Sequence, residues 1–178
     1  VYKRQEFLVF FLDHQSLRLE NGLPGFPVRI TTGNPLNFYQ AISEPKSIET
    51  VEIWAQLFQP SSEKSPLVIV VPGSLGLSES HIFKAKLLTD AGFAVCLMDP
   101  FGERGAESTV SNQAQYSFAA SAWDILCAAD FLGTLKGVDP ARIGIQGHSR
   151  GGSAALLAAS MQKFTSFTQQ IAAVLDMS

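Results

Sequence analysis

The sequence predicts an α/β fold: a mostly parallel, doubly wound sheet with helices on both faces. Three observations predict it. Leu67-Val68-Ile69-Val70-Val71 is an unbroken apolar run, the mark of a strand covered on both sides. Phe93–Met98, Arg142–Gln146 and Ile171–Leu175 supply further short strand-like stretches. Between them stand segments whose apolar residues recur at helical spacing, and strands alternating with helices define a parallel sheet.

The elements follow in order. Val1–Gln5 resembles an adaptor-derived string and is set aside, and Phe7–Leu12 is an apolar run too short to span a bilayer. That run reads either as the end of a leader or as a buried strand, so localisation stays open. Asn21-Gly22-Leu23-Pro24-Gly25 is dense in breakers and separates an N-terminal extension, residues 1–30, from a domain expected over residues 31–178. Ile48–Phe58 carries β-branched and aromatic residues and is expected to be a strand; Pro60–Pro66 is a polar turn. After the apolar run comes a loop, Pro72–Gly76, then a helix from Ser80 to Ala91 with Ile82, Phe83, Ala85, Leu87 and Leu88 on one side. Gly92 ends it as a C′ residue. A loop over Asp99–Asn112 leads into a helix expected over Gln113–Leu135, and Gly151–Gln162 forms the next helix.

Composition narrows the function classes. With 46% hydrophobic and 16% charged residues, the 178-residue chain has the means to bury a core. A net charge of −3, from 13 basic and 16 acidic residues, leaves no electrostatic footprint for nucleic acid or an anionic membrane surface, and no membrane span is readable. Cys96 and Cys127 form no CxxC pair and sit among apolar neighbours, as core residues do. Oligomeric state is not legible.

In sheets of this kind ligands bind at the carboxyl edge of the strands. That edge comprises Pro72–Glu79, Asp99–Asn112 and Gly147–Gly152. Gly147-His148-Ser149-Arg150-Gly151 is a G-x-S-x-G string between a strand and a helix, the setting of a nucleophile elbow. Gly147 and Gly151 are the small residues such a tight turn requires. Ser149 is the candidate nucleophile, and the Arg150 N–H, opening the next helix, is a candidate oxyanion donor. Ser74 or Leu75 is expected to supply the second donor, with Gly73 and Gly76 allowing close approach of that loop. A P-loop is excluded, because no GK[ST] follows the glycines.

Val70-Val71-Pro72-Gly73-Ser74-Leu75-Gly76, Asp99-Pro100-Phe101-Gly102-Glu103-Arg104-Gly105 and Asp139-Pro140-Ala141-Arg142-Ile143-Gly144-Ile145 resemble the dienelactone hydrolase family, over about Thr31–Ser178. The resemblance implies an α/β-hydrolase fold and cofactor-free hydrolysis of a small-molecule ester or lactone through an acyl-enzyme. Two features depart from it. Ser149 stands where dienelactone hydrolases proper carry Cys, which moves the reading towards serine esterases, and Pro72-Gly73 stands where relatives commonly have His-Gly.

The expected order of such a triad is Ser, then Asp or Glu, then His. After Ser149 the sequence holds Asp176 and no histidine, so the chain reads as a piece lacking the last strands of its sheet and as inactive by itself. Of the earlier histidines, His148 is a packing or pocket residue, His81 opens a helix at the functional edge and is placed to line the pocket, and His14 lies in the extension. Arg104 and Arg150 either anchor an acidic substrate or pair with Glu103, Glu107 or Asp99. Asp99 is expected to order its own loop, and Trp123 to sit in the core. No metal site is expected. The alternatives are a related peptidase or acyltransferase on the same scaffold, or a non-catalytic α/β binding module.

Overall fold

The computed structural model describes residues 16–60, 64–106 and 108–177. The N-terminal string, the Phe7–Leu12 run, His14 and Glu107 lie outside the described residues. Six strands form one sheet in the order β1-β2-β4-β3-β5-β6, where β1 is Gly25–Gly33, β2 Thr50–Phe58, β3 Ser65–Val71, β4 Ala94–Asp99, β5 Val138–His148 and β6 Ile171–Met177. β4, β3, β5 and β6 run parallel, and β2 is antiparallel to both β4 and β1. Among the described residues four α-helices accompany them: α1 Phe38–Ser43, α2 Glu79–Asp90, α3 Phe118–Leu132 and α4 Arg150–Met161.

Alternation along the buried strands explains the two-faced core. Leu67, Ile69 and Val71 of β3 join Ala94, Cys96 and Met98 of β4 in one cluster, closed over by Ile125 and Leu126 of α3 and Ala154 and Ala158 of α4. Val70, Val95 and Leu97 point to the opposite face, where Ala85 of α2 and Leu17 and Leu19 cover them. Successive side chains on a strand face opposite ways, so both sets must be apolar. That is why the Leu67–Val71 run has no polar break.

Several boundaries differ from those expected. β1 begins at Gly25, and its Gly25–Ile30 stretch pairs with Phe58–Ile53, so the expected domain start at residue 31 falls inside a paired strand. Leu17 and Leu19, in the expected extension, are buried in the second cluster. α3 starts at Phe118 rather than Gln113, capped by Ser117 Oγ, which accepts from Ala120 N–H. On α2, Ile82, Ala85 and Leu88 face the sheet as expected, but Phe83 and Leu87 are at least half exposed. Gly92 does end α2, with a positive φ of 88°. Cys96 and Cys127 are buried and half-buried, and burial pushes both thiols up to about 12, which keeps them neutral. Trp123 packs against the larger cluster, edge to face with Phe167. Among the described residues no helix is long and apolar enough to cross a membrane.

Candidate active site

The C-terminal ends of β3, β4 and β5 converge on one edge of the sheet, and the β5–α4 turn there is unusual. Ser149 has φ 51° and ψ −118°, the one positive φ at a non-glycine residue among the described residues. Such backbone costs about 1–3 kcal/mol and persists only where its surroundings impose it. Here the surroundings are glycines. A Cβ on Gly147 would run into the carbonyl of Gly151 and stand 2.5 Å from Gly152 N, and one on Gly151 would strike the Val71 carbonyl and stand 2.6 Å from Pro72 O. The turn is therefore closed from below by the end of β3. Ser149 is exposed, while the next residue, Arg150, is buried at the first position of α4. Its N–H is one of the donors that a helix start leaves without an intrahelical partner.

The loop after β3 lies directly against this turn. A Cβ on Gly73 would sit 3.2 Å from Ser149 Cβ and 3.0 Å from His148 O. Gly76, with φ 74°, donates its N–H to Gly73 O at 2.9 Å and closes a tight loop that presents Ser74 and Leu75. The Ser74 carbonyl is held from behind by Thr109 N–H (2.8 Å) and Ser108 Oγ (2.9 Å). Gly73 thus lies against Ser149, and Ser74 and Leu75 follow it in the same loop. Asp176 stands opposite Gly147 in the β5–β6 register, at the same edge.

The histidines are placed differently from one another. His148 is exposed, with its ring beside Gly73. His81 is 4% exposed and serves its own helix: its Nδ1 accepts from the Ser78 N–H at 3.1 Å, which leaves the proton on a buried Nε2 without a partner. Burial lowers its pKa to about 4, with the charges of Lys84 and His148 acting in the same direction. Among the described residues no histidine side chain hydrogen-bonds to Ser149 Oγ, and no group of three or more His, Cys, Asp or Glu is arranged to hold a metal ion.

Both arginines at this edge are engaged within the protein. Arg104 meets Asp124 in a bidentate pair, Nη1 to Oδ2 at 2.7 Å and Nη2 to Oδ1 at 2.8 Å, and donates Nε to Asn34 Oδ1 at 2.7 Å. Its acid is therefore on α3 rather than Glu103 or Asp99. Asp124 is fully buried and also accepts from Thr32 Oγ1 at 2.7 Å. Burial pushes its carboxyl up, and the Arg104 guanidinium pulls it back down. Asp99 does order its loop, accepting from the N–H groups of Phe101 (3.0 Å) and Gly102 (3.4 Å). Tyr116 lies between the two guanidiniums, whose carbons sit 5.0 and 4.8 Å from its ring centre. Sequence reasoning missed Asp124 and Gln113. A lone acid inside the apolar stretch Ala119–Ala129 was the one available signal for the first; nothing in the sequence marked the second.

This architecture, with a sharp serine turn at the edge of a largely parallel sheet, is that of an α/β-hydrolase. The prolyl oligopeptidase family model matches residues 79–177, and the chain belongs to that family. No curated protein matches the chain. Among solved structures it resembles in fold a dienelactone hydrolase from Anabaena variabilis, with 22% identity and a TM-score of 0.57 over 84% of this chain and 62% of that one. A dienelactone hydrolase-like promiscuous phosphotriesterase from metagenomic libraries gives 16% and 0.55, over 85% of this chain and 59% of that one. Est1E from Butyrivibrio proteoclasticus gives 28% and 0.52, over 70% and 45%. The chain spans less than two thirds of each of these proteins. Family and fold together suggest a serine hydrolase of the α/β-hydrolase type.

Proposed function

We propose that the chain carries the nucleophile and the oxyanion donors of a hydrolase that cleaves carboxylic esters or lactones through an acyl-enzyme on Ser149. The observation that carries this reading is the positive-φ turn at Ser149, exposed at the start of α4 with the Gly73 loop packed against it. Strain of this kind is retained where it serves a site. In the reaction, Ser149 Oγ attacks the carbonyl carbon while a general base takes its proton. The carbonyl oxygen becomes an anion facing the N–H of Arg150 and that of Ser74 or Leu75. Collapse of the intermediate breaks the ester C–O bond, and the departing alkoxide takes the proton. A water molecule then repeats the attack on the acyl-enzyme and frees Ser149. The base is not assigned to His81, whose Nδ1 is engaged at its helix start and whose burial opposes taking up a proton, and among the described residues no histidine hydrogen-bonds to Ser149 Oγ.

Cleavage of a peptide bond is the second reading, favoured by the family match over residues 79–177. The step at Ser149 is the same, with an amine in place of the alkoxide. Kinetics on the whole protein separate the two. Nitrophenyl esters and a lactone are expected to turn over with higher kcat/KM than peptide nitroanilides, and Ser149→Ala is expected to lower ester turnover by about 10³-fold or more. Faster anilide cleavage would favour the peptidase. Wild-type ester rates in Ser149→Ala would remove Ser149 from the chemistry.

A further inference from the structure

The geometry points to Arg150 and Gln113 as positioning residues that set the spacing between the two main-chain amides facing the substrate oxygen. The inference rests on the Ser149 reading above. Those amides lie on separate loops, one opening α4 and the other following β3, and a chain of side chains joins them. The Arg150 guanidinium is buried. It donates Nη1 to Gln113 O at 2.8 Å and to Gln113 Oε1 at 3.3 Å, and Nη2 to Tyr116 O at 2.8 Å. It lies over the rings of Tyr116 and Phe118, at 4.8 and 4.2 Å from their centres. Gln113 passes the connection on: its Nε2 donates to Ser74 Oγ at 2.9 Å, and its Oε1 accepts from Ser74 Oγ at 3.1 Å. The side chain of the residue after the nucleophile is thereby tied, through a single glutamine, to Ser74, in the loop expected to carry the second donor at Ser74 or Leu75.

Two features set this arrangement apart from ordinary packing. Among the described residues no carboxylate pairs with Arg150, and its buried Nε has no partner. A buried cation held by neutral acceptors alone is costly, whereas an apolar side chain of similar volume would fill the same space at less expense. Residues 113–117, in turn, are drawn out of α3 to meet it, which is why that helix starts at its Ser117 cap instead of at Gln113. Oxyanion donors act only at the right distance from the developing charge, and a displacement of about 1 Å costs on the order of 10²-fold.

The test uses the whole protein and three variants: Gln113→Ala, Gln113→Glu and Arg150→Lys. Gln113 is exposed, so its substitution leaves the core intact. Gln113→Ala is expected to lower kcat for an ester about 10- to 100-fold with KM nearly unchanged, and to weaken inhibition by a trifluoromethyl ketone by the same factor. Gln113→Glu keeps an oxygen for Ser74 Oγ and Arg150 and is expected to recover most of that loss. Arg150→Lys, which cannot fork between Gln113 and Tyr116, is expected to resemble Gln113→Ala. Wild-type kcat and ketone affinity in Gln113→Ala, even with a lower melting temperature, would overturn the inference. Failure of the Ser149 reading looks different: wild-type protein would then give no fluorophosphonate adduct on Ser149 at all.

Discussion

Replacing Ser149 with glycine should make the protein more stable. At φ 51° and ψ −118° the residue occupies a region that a Cβ disfavours by about 1–3 kcal/mol, and glycine occupies it freely. Against that gain, glycine's looser unfolded state costs about 0.5–1 kcal/mol. Loss of the side chain itself costs little, since it is exposed and its hydroxyl makes no hydrogen bond among the described residues. The net is a stabilisation of about 1 kcal/mol, or about 2–4 °C in melting temperature for a domain of this size. Ser149→Ala keeps the Cβ and so keeps the strain; its stability should match wild type. Calorimetry or urea unfolding of the three proteins side by side reads the difference. A Ser149→Gly protein no more stable than Ser149→Ala would refute the argument that strain is stored at this residue.

Asp124→Asn leaves Arg104 buried without its charge partner and should destabilise by about 3 kcal/mol, read as a lower urea midpoint. Replacing both residues of the pair, as Arg104→Met with Asp124→Leu, should recover much of that loss; a double variant worse than Asp124→Asn would count against the ion pair as described. Gly151→Ala places a methyl group against the carbonyls of Val71 and Pro72 and should cost about 2 kcal/mol together with ester turnover. Stability should also depend on pH through His81. Its folded pKa of about 4 lies below the ordinary 6.5, so the unfolded chain takes up the proton first. The contribution is complete above pH 6.5 and falls away as pH drops towards 4, by on the order of 3 kcal/mol. His81→Gln should flatten that slope in urea midpoints measured from pH 7 to pH 4, and an unchanged slope would show that His81 is not held neutral.

The parts of the fold governed by local pattern were legible in the sequence. Continuous apolar runs fixed β3 and β4, because a strand covered on both faces leaves no room for alternation, and Gly92 marked the end of α2. The serine turn was legible for a steric reason: glycine alone fits where a Cβ would meet the carbonyls of Gly151 or Val71. β1 was hidden because Pro27 interrupts it, a residue that a strand at the edge of the described sheet tolerates. Tertiary contacts concealed the rest. Nothing local in Gln113–Ser117 says that Arg150 and Pro35 claim those residues before α3 can include them. Equally, the partner of Arg104 lies 20 positions away on a helix, whereas Asp99 and Glu103 stand nearer in the sequence. Nothing local says that α2, laid on the sheet, buries His81 instead of leaving it to line the pocket.

Mapping a fluorophosphonate adduct on the whole protein by mass spectrometry addresses the central claim most directly. The expected result is a single modified tryptic peptide, Ile143–Arg150, with the phosphonyl group on Ser149. An adduct on another serine, or an unmodified Ile143–Arg150 peptide after exhaustive treatment, would contradict it.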